Sequence, residues 1–494
     1  MRGTGRTLRN GVTLLAMALA LPACGGGGGS PSGTGTLLPT PTPTPGTTPT
    51  PTPVNTTCGL RARQDWVLQQ VNDWYLFPET LSYVNPTAFY NLSDYLDALT
   101  AGARAQGKDR YFSYVTSIAE ENAYYESGAT AGFGFRLHLD SAARRLWVSE
   151  AFENAPALAA GLDRGVEILA IGNSPSAMRA VNLILESQGE YGLYIALGAD
   201  TPGVARSFEI RDAAGRRTVT VAKADFDIQP VSTRYGLRII EDAGRKIGYV
   251  NLRTFIFSAE DPLRAAFAQL KAQGVDELIV DLRYNGGGLL AVAQTLGSLM
   301  GGARTSDDVL ARLRFRPEYG ADEAYPFLPE PDAIAPRRIA FIATEGTASA
   351  SELVINAFRP YLRADIALVG ANSYGKPVGQ IAMDRPECDD RLRLIAFSVD
   401  NALGEGGYYH GLASVMEQSC RAEDDLSLPL GDPREDSVAR AIDFLDRRAC
   451  SPIGGSALAR TATASTTRVP LPAGRHPLVP ATPSQPQRDM PGLF

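Results

Sequence analysis

The chain has 494 residues, of which 44% are hydrophobic and 20% charged, and its net charge at pH 7 is −7. This length allows two or three domains, and the hydrophobic content is ordinary for a folded protein. The net charge is negative, so the chain lacks the surplus of basic residues that is typical of nucleic-acid-binding proteins. No long block of one charge sign points to a partner.

Residues 1–23 have the composition of an export signal. Three arginines among the first residues precede an apolar stretch that is too short to span a bilayer. The stretch ends in Leu21-Pro22-Ala23-Cys24, which resembles a bacterial lipobox, so Cys24 is the predicted site of lipidation. A plain secretory signal that happens to contain a cysteine is the alternative.

Residues 24–57 predict a tether. They are rich in Gly, Pro and Thr, a composition typical of flexible and semi-extended linkers. We therefore expect a lipid-anchored protein of the bacterial cell envelope that faces the periplasm. Gly25, in place of an acidic residue after Cys24, favours the outer membrane.

Four cysteines remain beyond the lipidation site, namely Cys58, Cys388, Cys420 and Cys450. An even number in an exported protein indicates two disulfides. Three pairings are possible, and we favour Cys388–Cys420 as a local link and Cys58–Cys450 as a clasp between the ends of the folded region. No Cys-x-x-Cys or His-Glu-x-x-His spacing occurs, so the sequence supports neither a metal site nor a cofactor.

Residues 58–127 predict a small helical N-terminal domain. Trp66, Val67, Val71 and Trp74 recur at helical spacing, and we interpret them as core residues.

Residues 128–228 predict a domain of short strands and glycine turns. Gly132-Phe133-Gly134-Phe135 leads into a strand at 136–139, and further strands are predicted at 146–149, 167–171, 207–211 and 218–221, with a short helix at 155–162. This order resembles a PDZ domain. The resemblance implies that Gly132, Phe133, Gly134 and Phe135 bind a peptide carboxylate through backbone N–H groups while the peptide adds to the sheet edge. A bare turn is the alternative for these four residues.

Residues 229–450 predict an α/β domain. Buried strands at 247–252, 277–282, 338–343 and 366–369 alternate with helices, among them 289–300 and 351–358. Such alternation indicates layers of helices and sheet, with active residues in loops at the strand ends. Residues 451–494 show no periodicity and predict a disordered tail. The fold class is therefore a mixed α/β and α+β multidomain protein.

Ser349 and Lys376 are the candidate catalytic residues. Ser349 follows a predicted strand and turn at the start of a helix, where unpaired N–H groups and the helix dipole favour a developing oxyanion. Lys376 is a base only if burial lowers its pKa by several units from about 10.4. Gln380 offers an amide to hold that amine. A helix cap and a solvated surface lysine are the respective alternatives for Ser349 and Lys376.

A serine–lysine pair suffices for acyl transfer without histidine. The chain has only His138, His410 and His476, none in a recognisable catalytic motif, and no Gly-x-Ser-x-Gly sequence. Residues 370–376 also satisfy the Gly-x4-Gly-Lys opening of a phosphate-binding loop. Pro377 follows, however, and lacks the hydroxyl that would bind magnesium, so we discount nucleotide binding.

Three motifs in order carry a family resemblance. They are Gly346-Thr-Ala-Ser-Ala-Ser-Glu352, Tyr374-Gly-Lys376 with Gln380, and Asp281-Leu-Arg-Tyr-Asn-Gly-Gly-Gly288. Together they resemble the C-terminal processing, or tail-specific, proteases of peptidase family S41 over residues 61–448. The resemblance implies an α/β catalytic domain with ClpP/crotonase-like layers.

The same resemblance implies roles for individual residues. Ser349 is the nucleophile, Lys376 the general base and Gln380 the residue that supports the lysine. Backbone N–H groups of Ala350 and Gly287 are the oxyanion donors. Pro360 stands where some members carry an aspartate, which favours the version with glutamine.

The predicted function is therefore that of a serine endopeptidase acting on exported proteins. Its partners would be protein or peptide substrates, bound through their C-terminal tails, and the membrane through the lipid anchor, with no nucleic acid. One alternative is a catalytically inactive PDZ-containing scaffold or binding protein of the envelope. Another is a lipoprotein that binds sugars or peptidoglycan, for which no paired-carboxylate motif is present.

Overall fold

A computed structural model describes residues 56–320, 322–454 and 475–494. The predicted export signal, the predicted lipidation site Cys24 and nearly all of the predicted tether lie outside these residues. Within the described ranges, no helix has both the length and the apolar character needed to cross a membrane.

The N-terminal region is mostly helical and packs on the C-terminal half of the chain. Its elements are α1 (Leu60–Trp74), α2 (Leu92–Leu99), α3 (Ala101–Ala105), β1 (Tyr114–Ser117) and α4 (Ile118–Ser127). Val67 and Val71, one helical turn apart on α1, are fully buried in a cluster that includes Leu392 and Leu394. β1 pairs antiparallel with residues 390–393. Residues predicted as a separate helical domain thus share a core with distant strands.

The next region is a β domain with one main antiparallel sheet. Its elements are β2 (Ala129–Gly132), β3 (Phe135–Asp140), β4 (Arg145–Ala151), α5 (Pro156–Ala159), β5 (Glu167–Gly172), β6 (Arg179–Ala180), α6 (Val181–Leu197), β7 (Ala205–Asp212), β8 (Gly215–Ala222) and β9 (Ala224–Asp227). The sheet order is β3-β4-β5-β7-β8, with β6 on β5. Inward-facing apolar side chains of β3, β4 and β7 form its core, as the strand patterns of the sequence predict.

The C-terminal half contains a predominantly parallel sheet between helices. Its elements are β10 (Leu237–Asp242), β11 (Arg245–Asn251), α7 (Glu260–Ala272), β12 (Glu277–Asp281), α8 (Leu290–Met300), β13 (Val309–Arg314), β14 (Glu323–Pro326), β15 (Arg338–Ala343), α9 (Ala350–Leu362), β16 (Ile366–Gly370), β17 (Val378–Arg385), β18 (Asp390–Asp400), β19 (Ser419–Arg421) and α10 (Asp436–Leu445). The order is β10-β11-β12-β15-β16-β19, parallel from β11 to β19. The central strands are apolar throughout because helices cover both faces of the sheet.

A second, antiparallel sheet connects this half to the N-terminal region. β18 is its centre and pairs with β1, β13 and β17, while β14 extends it beyond β13. The loop between β16 and β17, which carries Lys376, therefore lies between the two sheets of this half.

The last described residues are ordered, and the prediction of a disordered tail is wrong for residues 475–494. They form β20 (Arg475–Pro477) and α11 (Gln485–Asp489), and β20 pairs antiparallel with β3. Leu478, Met490, Leu493 and Phe494 are buried. The segment has no periodicity of its own because its apolar side chains fill gaps between distant elements. Residues 455–474 of the predicted tail lie outside the described ranges.

The favoured disulfide pairing is also wrong. The structure joins Cys58 to Cys388 and Cys420 to Cys450, with Cα–Cα distances of 5.4 and 5.3 Å. Packing of the N-terminal helices on β17 and β18 brings Cys58 to the turn that holds Cys388. The chain that follows α10 returns along β19, which brings Cys450 to Cys420.

Candidate functional site

Ser349 lies in a strained turn between β15 and α9. Its φ is 55°, in the left-handed region that a residue with a side chain rarely occupies. Such a conformation costs on the order of 1–3 kcal/mol and persists only where the surroundings enforce it. Here the hydroxyl of Thr347 donates to the carbonyl of Leu282 at 2.8 Å, and the N–H of Ala348 donates to the carbonyl of Asn285 at 3.0 Å. The serine turn is therefore tied to the turn that follows β12.

The turn after β12 presents glycines directly beside Ser349. A Cβ atom on Gly287 would lie 2.8 Å from the Cβ of Ser349 and 3.0 Å from the backbone nitrogen of Ala350. Only glycine allows the two turns to come this close. Gly287, Ser349 and Ala350, which the sequence analysis singled out, therefore lie side by side. The N–H of Gly287 donates to Asn285 Oδ1 at 2.9 Å, whereas the N–H of Gly286 donates to the carbonyl of Asp489 at 2.8 Å. Gly286 is therefore the glycine whose N–H contacts a peptide carbonyl, and the role predicted for Gly287 stays a prediction.

Glu352 holds the serine and lysine segments together, a role that the sequence analysis missed. Its buried carboxylate accepts four hydrogen bonds. Oε2 accepts from the backbone N–H groups of Ser349 at 3.1 Å and Lys376 at 2.7 Å. Oε1 accepts from the Ser373 hydroxyl at 2.6 Å and the Gly375 N–H at 2.7 Å. Burial raises the pKa of Glu352, and the four donors oppose that rise.

Lys376 is half-buried in the loop between β16 and β17. Its Nζ donates to Gln380 Oε1 at 3.3 Å and lies 5.2 Å from the centre of the Phe112 ring. The amide nitrogen of Gln380 donates to the carbonyl of Phe112, which leaves its oxygen facing the lysine. Burial lowers the pKa of Lys376 to about 8. About a tenth of the amine is therefore neutral at pH 7, against far less for an ordinary lysine.

The predicted carboxylate-binding loop contacts residue 494 of the same chain. The Phe494 oxygen accepts from the N–H groups of Gly134 at 2.9 Å and Phe135 at 3.3 Å, and the Phe494 N–H donates to the Phe135 carbonyl at 3.0 Å. Gly132 also lies against it, since a Cβ there would be 2.8 Å from the Phe494 carbonyl carbon. The side chain of Phe133 is buried in the core of the β domain.

The sequence analysis missed two residues of this site, and a local signal exists for one of them. Ser349 and Glu352 have the Ser-x-x-Glu spacing of a capping box, which would have marked Glu352 as a partner of the serine backbone. Nothing local marks Asp489, because its position depends on how residues 475–494 pack on distant elements. Among the residues that the structure describes, no cluster of three His, Cys, Asp or Glu side chains could hold a metal ion.

Comparisons with known proteins give a consistent family. Residues 246–399 match the model of peptidase family S41. A carboxyl-terminal-processing protease of Picosynechococcus sp. is 28% identical over 53% of this chain and 58% of its own length. The carboxy-terminal processing protease CtpB of Bacillus subtilis is 23% identical over 47% and 44%, respectively. The chain thus spans about half the length of these relatives.

One solved structure shows the same fold over most of the described chain. A protein described as an S41 protease from Bacteroides fragilis NCTC 9343 superimposes with a TM-score of 0.58. The superposition covers 77% of this chain and 97% of that one, at 24% sequence identity.

Proposed function

We propose that this chain is a serine peptidase of family S41, whose model matches residues 246–399, with Ser349 as nucleophile and Lys376 as general base. The observation that carries the proposal is the Glu352 carboxylate, one oxygen of which accepts from the backbone N–H groups of both residues. A fixed spacing between nucleophile and base is what proton transfer between them requires.

The proposed reaction proceeds in two steps. Neutral Lys376 takes the proton of the Ser349 hydroxyl as the serine oxygen attacks a peptide carbonyl, and the lysine ammonium then protonates the departing amine. Water, deprotonated by the same lysine, attacks the acyl-serine, and the proton returns to Ser349 as the acid product leaves. Backbone N–H groups of Ala350 and of the turn at 286–287 stabilise the oxyanion in both steps. Gln380 orients the amine.

The state of Lys376 supports this role. Burial lowers its pKa to about 8, and a surface lysine with no function would remain close to its ordinary value. The strained backbone of Ser349 also supports it, because such strain is concentrated at functional sites. A scaffold without activity would require neither feature.

The proposed substrates are proteins of the cell envelope with free C-terminal ends. The loop at Gly132–Phe135 would receive the terminal carboxylate through its backbone N–H groups. The backbone contacts that this loop makes with Phe494 support such a role. Lipidation of Cys24 would hold the enzyme at the membrane, facing the periplasm.

Casein hydrolysis tests the catalytic assignment. The wild type, Ser349→Ala and Lys376→Ala are compared by counting new amino termini with an amine-reactive label and mass spectrometry. The exposed residues Ser306 and Lys246 supply matched controls, Ser306→Ala and Lys246→Ala. We expect the two site variants to lose at least about 10³-fold of the activity, and the controls to keep it. Equal hydrolysis by all five proteins would refute the proposal.

A further inference from the structure

Residues 475–494, hereafter the tail segment, run along the edge of the β domain in two passes. In the first pass β20 pairs with residues 138–140 of β3, and the Leu478 N–H donates to the Leu137 carbonyl at 3.0 Å. In the second pass the Gly492 carbonyl accepts from the Leu137 N–H at 2.8 Å. This pass ends with Phe494 on the loop at Gly132–Phe135. The tail segment therefore adds to β3 in the manner of a bound peptide.

Between the two passes, the tail segment contacts the candidate catalytic site. The Asp489 carbonyl accepts from the N–H of Gly286. Its carboxylate acts on Lys376, where it opposes the lowering of the lysine pKa by burial. The Arg488 guanidinium lies 3.8 Å from the centre of the Tyr114 ring. One segment thus reaches both the loop predicted to bind carboxylates and the glycine turn that lies against Ser349.

Polar and apolar contacts anchor this middle part. Gln485 accepts from the Tyr114 hydroxyl at 2.5 Å and donates to the Tyr125 hydroxyl at 2.8 Å. Met490 and Leu493 are buried in a cluster with Tyr124 and other apolar side chains from the N-terminal region, the β domain and the C-terminal half. Burial of this kind stabilises the docked tail segment, because apolar surface of the tail segment and of its partners is removed from water.

We propose that the tail segment is an intramolecular ligand that competes with peptide substrates for the path from the loop at Gly132–Phe135 along β3 to the turn at 286–287, hereafter the cleft, and keeps the enzyme in a blocked state. The inference rests on the proposed function, since it takes Ser349 and Lys376 as the site that is blocked. A tethered ligand acts at an effective concentration that reaches the millimolar range. A substrate end must therefore displace the tail segment before it is cut.

The conformation of the tail segment favours an inhibitor over a substrate. At the catalytic turn it forms α11, and the N–H groups of Arg488 and Met490 donate to the carbonyls of Ser484 and Pro486 at 2.9 and 2.8 Å. These helical hydrogen bonds keep the backbone from extending past Ser349. The tail segment therefore occupies the cleft without offering an extended peptide bond to the nucleophile.

The test measures competition for the cleft in the full chain, independently of catalysis. A rhodamine-labelled peptide of residues 484–494 is titrated, by fluorescence anisotropy, into a Ser349→Ala parent and into the same chain with Phe494→Asp. Thr482→Asp is the matched control, because it adds the same charge to the tail segment at an exposed position. We expect the Phe494→Asp chain to bind the peptide at least tenfold more tightly than the parent and the control. Met490→Asp, at the other end of the cleft, is a second variant in case Phe494→Asp does not fold.

The outcomes separate the two proposals. Equal peptide affinity in the parent and in the folded variants would overturn competition by the tail segment. In chains that retain Ser349, we expect Phe494→Asp to hydrolyse casein at least tenfold faster than the wild type. If the peptide affinity rises as expected but no chain with Ser349 cuts casein, the competition stands and the proposed function fails. Casein hydrolysis that is equally fast in the wild type and the variant overturns the inhibition alone.

Discussion

The carboxylate of Glu352 lies 2.7 Å from the backbone nitrogen of Lys376, although the two residues belong to different elements of the fold. Glu352 lies in the first turn of the helix that follows the serine, and Lys376 lies in a loop beyond the next strand. The same carboxylate oxygen also accepts from the backbone N–H of Ser349. A single buried acid thus sets the relative position of the proposed nucleophile and base.

The first prediction concerns the substitution Glu352→Gln. Glutamine has the same shape as glutamate, but one of the two oxygens becomes an amide nitrogen, which donates. The two N–H or O–H donors that bonded to that oxygen then have no acceptor. We expect the free energy of unfolding to fall by about 1–3 kcal/mol, the cost of leaving buried donors unsatisfied. We also expect kcat to fall at least tenfold, because the spacing of Ser349 and Lys376 relaxes.

Chemical denaturation and casein kinetics measure the two effects. Glu186→Gln, at an exposed position, is the matched control and should leave both values unchanged. A Glu352→Gln enzyme with wild-type kcat would contradict the positioning role.

The second prediction concerns the pH dependence of the proposed reaction. The base must be neutral, and burial places the Lys376 pKa at about 8. Below that value the neutral fraction falls tenfold per pH unit, so we expect kcat/KM to rise with pH and level off above pH 8. In Gln380→Glu, a carboxylate beside the ammonium favours its charged form and raises the pKa of Lys376. The midpoint of the profile should then move to higher pH by about one unit.

Profiles of kcat/KM between pH 5.5 and 9.5 for wild type, Gln380→Glu and the exposed control Gln69→Glu provide the measurement. An unchanged midpoint in Gln380→Glu would show that Lys376 is not the group that titrates. Lys376→Arg should be inactive throughout this range, because guanidinium does not lose its proton.

The third prediction concerns Asp489 and the docking of the tail segment. Burial raises the pKa of Asp489 to about 6, against an ordinary value near 3.8. The docked state therefore holds a proton more tightly than the free tail does. This contribution to docking is fully present below pH 3.8 and is lost as pH rises through 6. The groups that act on Asp489 include Gln485, Lys376, Tyr125 and Arg393.

Peptide binding at several pH values measures this effect. A peptide of residues 490–494 with rhodamine joined to its amino terminus through an amide contains no group that titrates between pH 5 and 7. In the Ser349→Ala chain it should bind more tightly at pH 7 than at pH 5, because the tail segment leaves more readily. Asp489→Asn should flatten this dependence. The same pH dependence in Asp489→Asn and its parent would exclude Asp489 as the cause.

The fourth prediction concerns the two disulfides. A peptide map without reduction should contain the pairs Cys58–Cys388 and Cys420–Cys450. Replacing both cysteines of either pair by serine should lower the free energy of unfolding by about 2–5 kcal/mol. The loss should be greater for Cys58–Cys388, which closes the longer loop. A peptide that links Cys388 to Cys420 would contradict the structure.

Several elements follow from local sequence alone. The predicted strand at 338–343 coincides with β15, and the predicted helix at 289–300 differs from α8 by one residue. Both have a continuous apolar pattern with clear ends, so neighbouring residues suffice to define them. The sequence also singled out Ser349 and Lys376 as candidates, because glycine and small residues mark the turns that hold them.

The role of Glu352 required the structure, since a carboxylate three residues into a helix has many possible partners. The hydrogen-bond partners of Gly286 and Gly287 also required the structure. Both glycines share one motif, and only the assembled turn shows which N–H is already used by Asn285.

The sequence by itself determined the alternation of strands and helices, the serine and lysine candidates and the number of cysteines available for pairing, because each depends on residues that are close in the chain. Only the tertiary structure decided which cysteines pair, where Glu352 places its carboxylate and that Phe494 lies on the loop at Gly132–Phe135. Those contacts join residues far apart in the sequence. They form only where packing brings the partners together and removes water from between them.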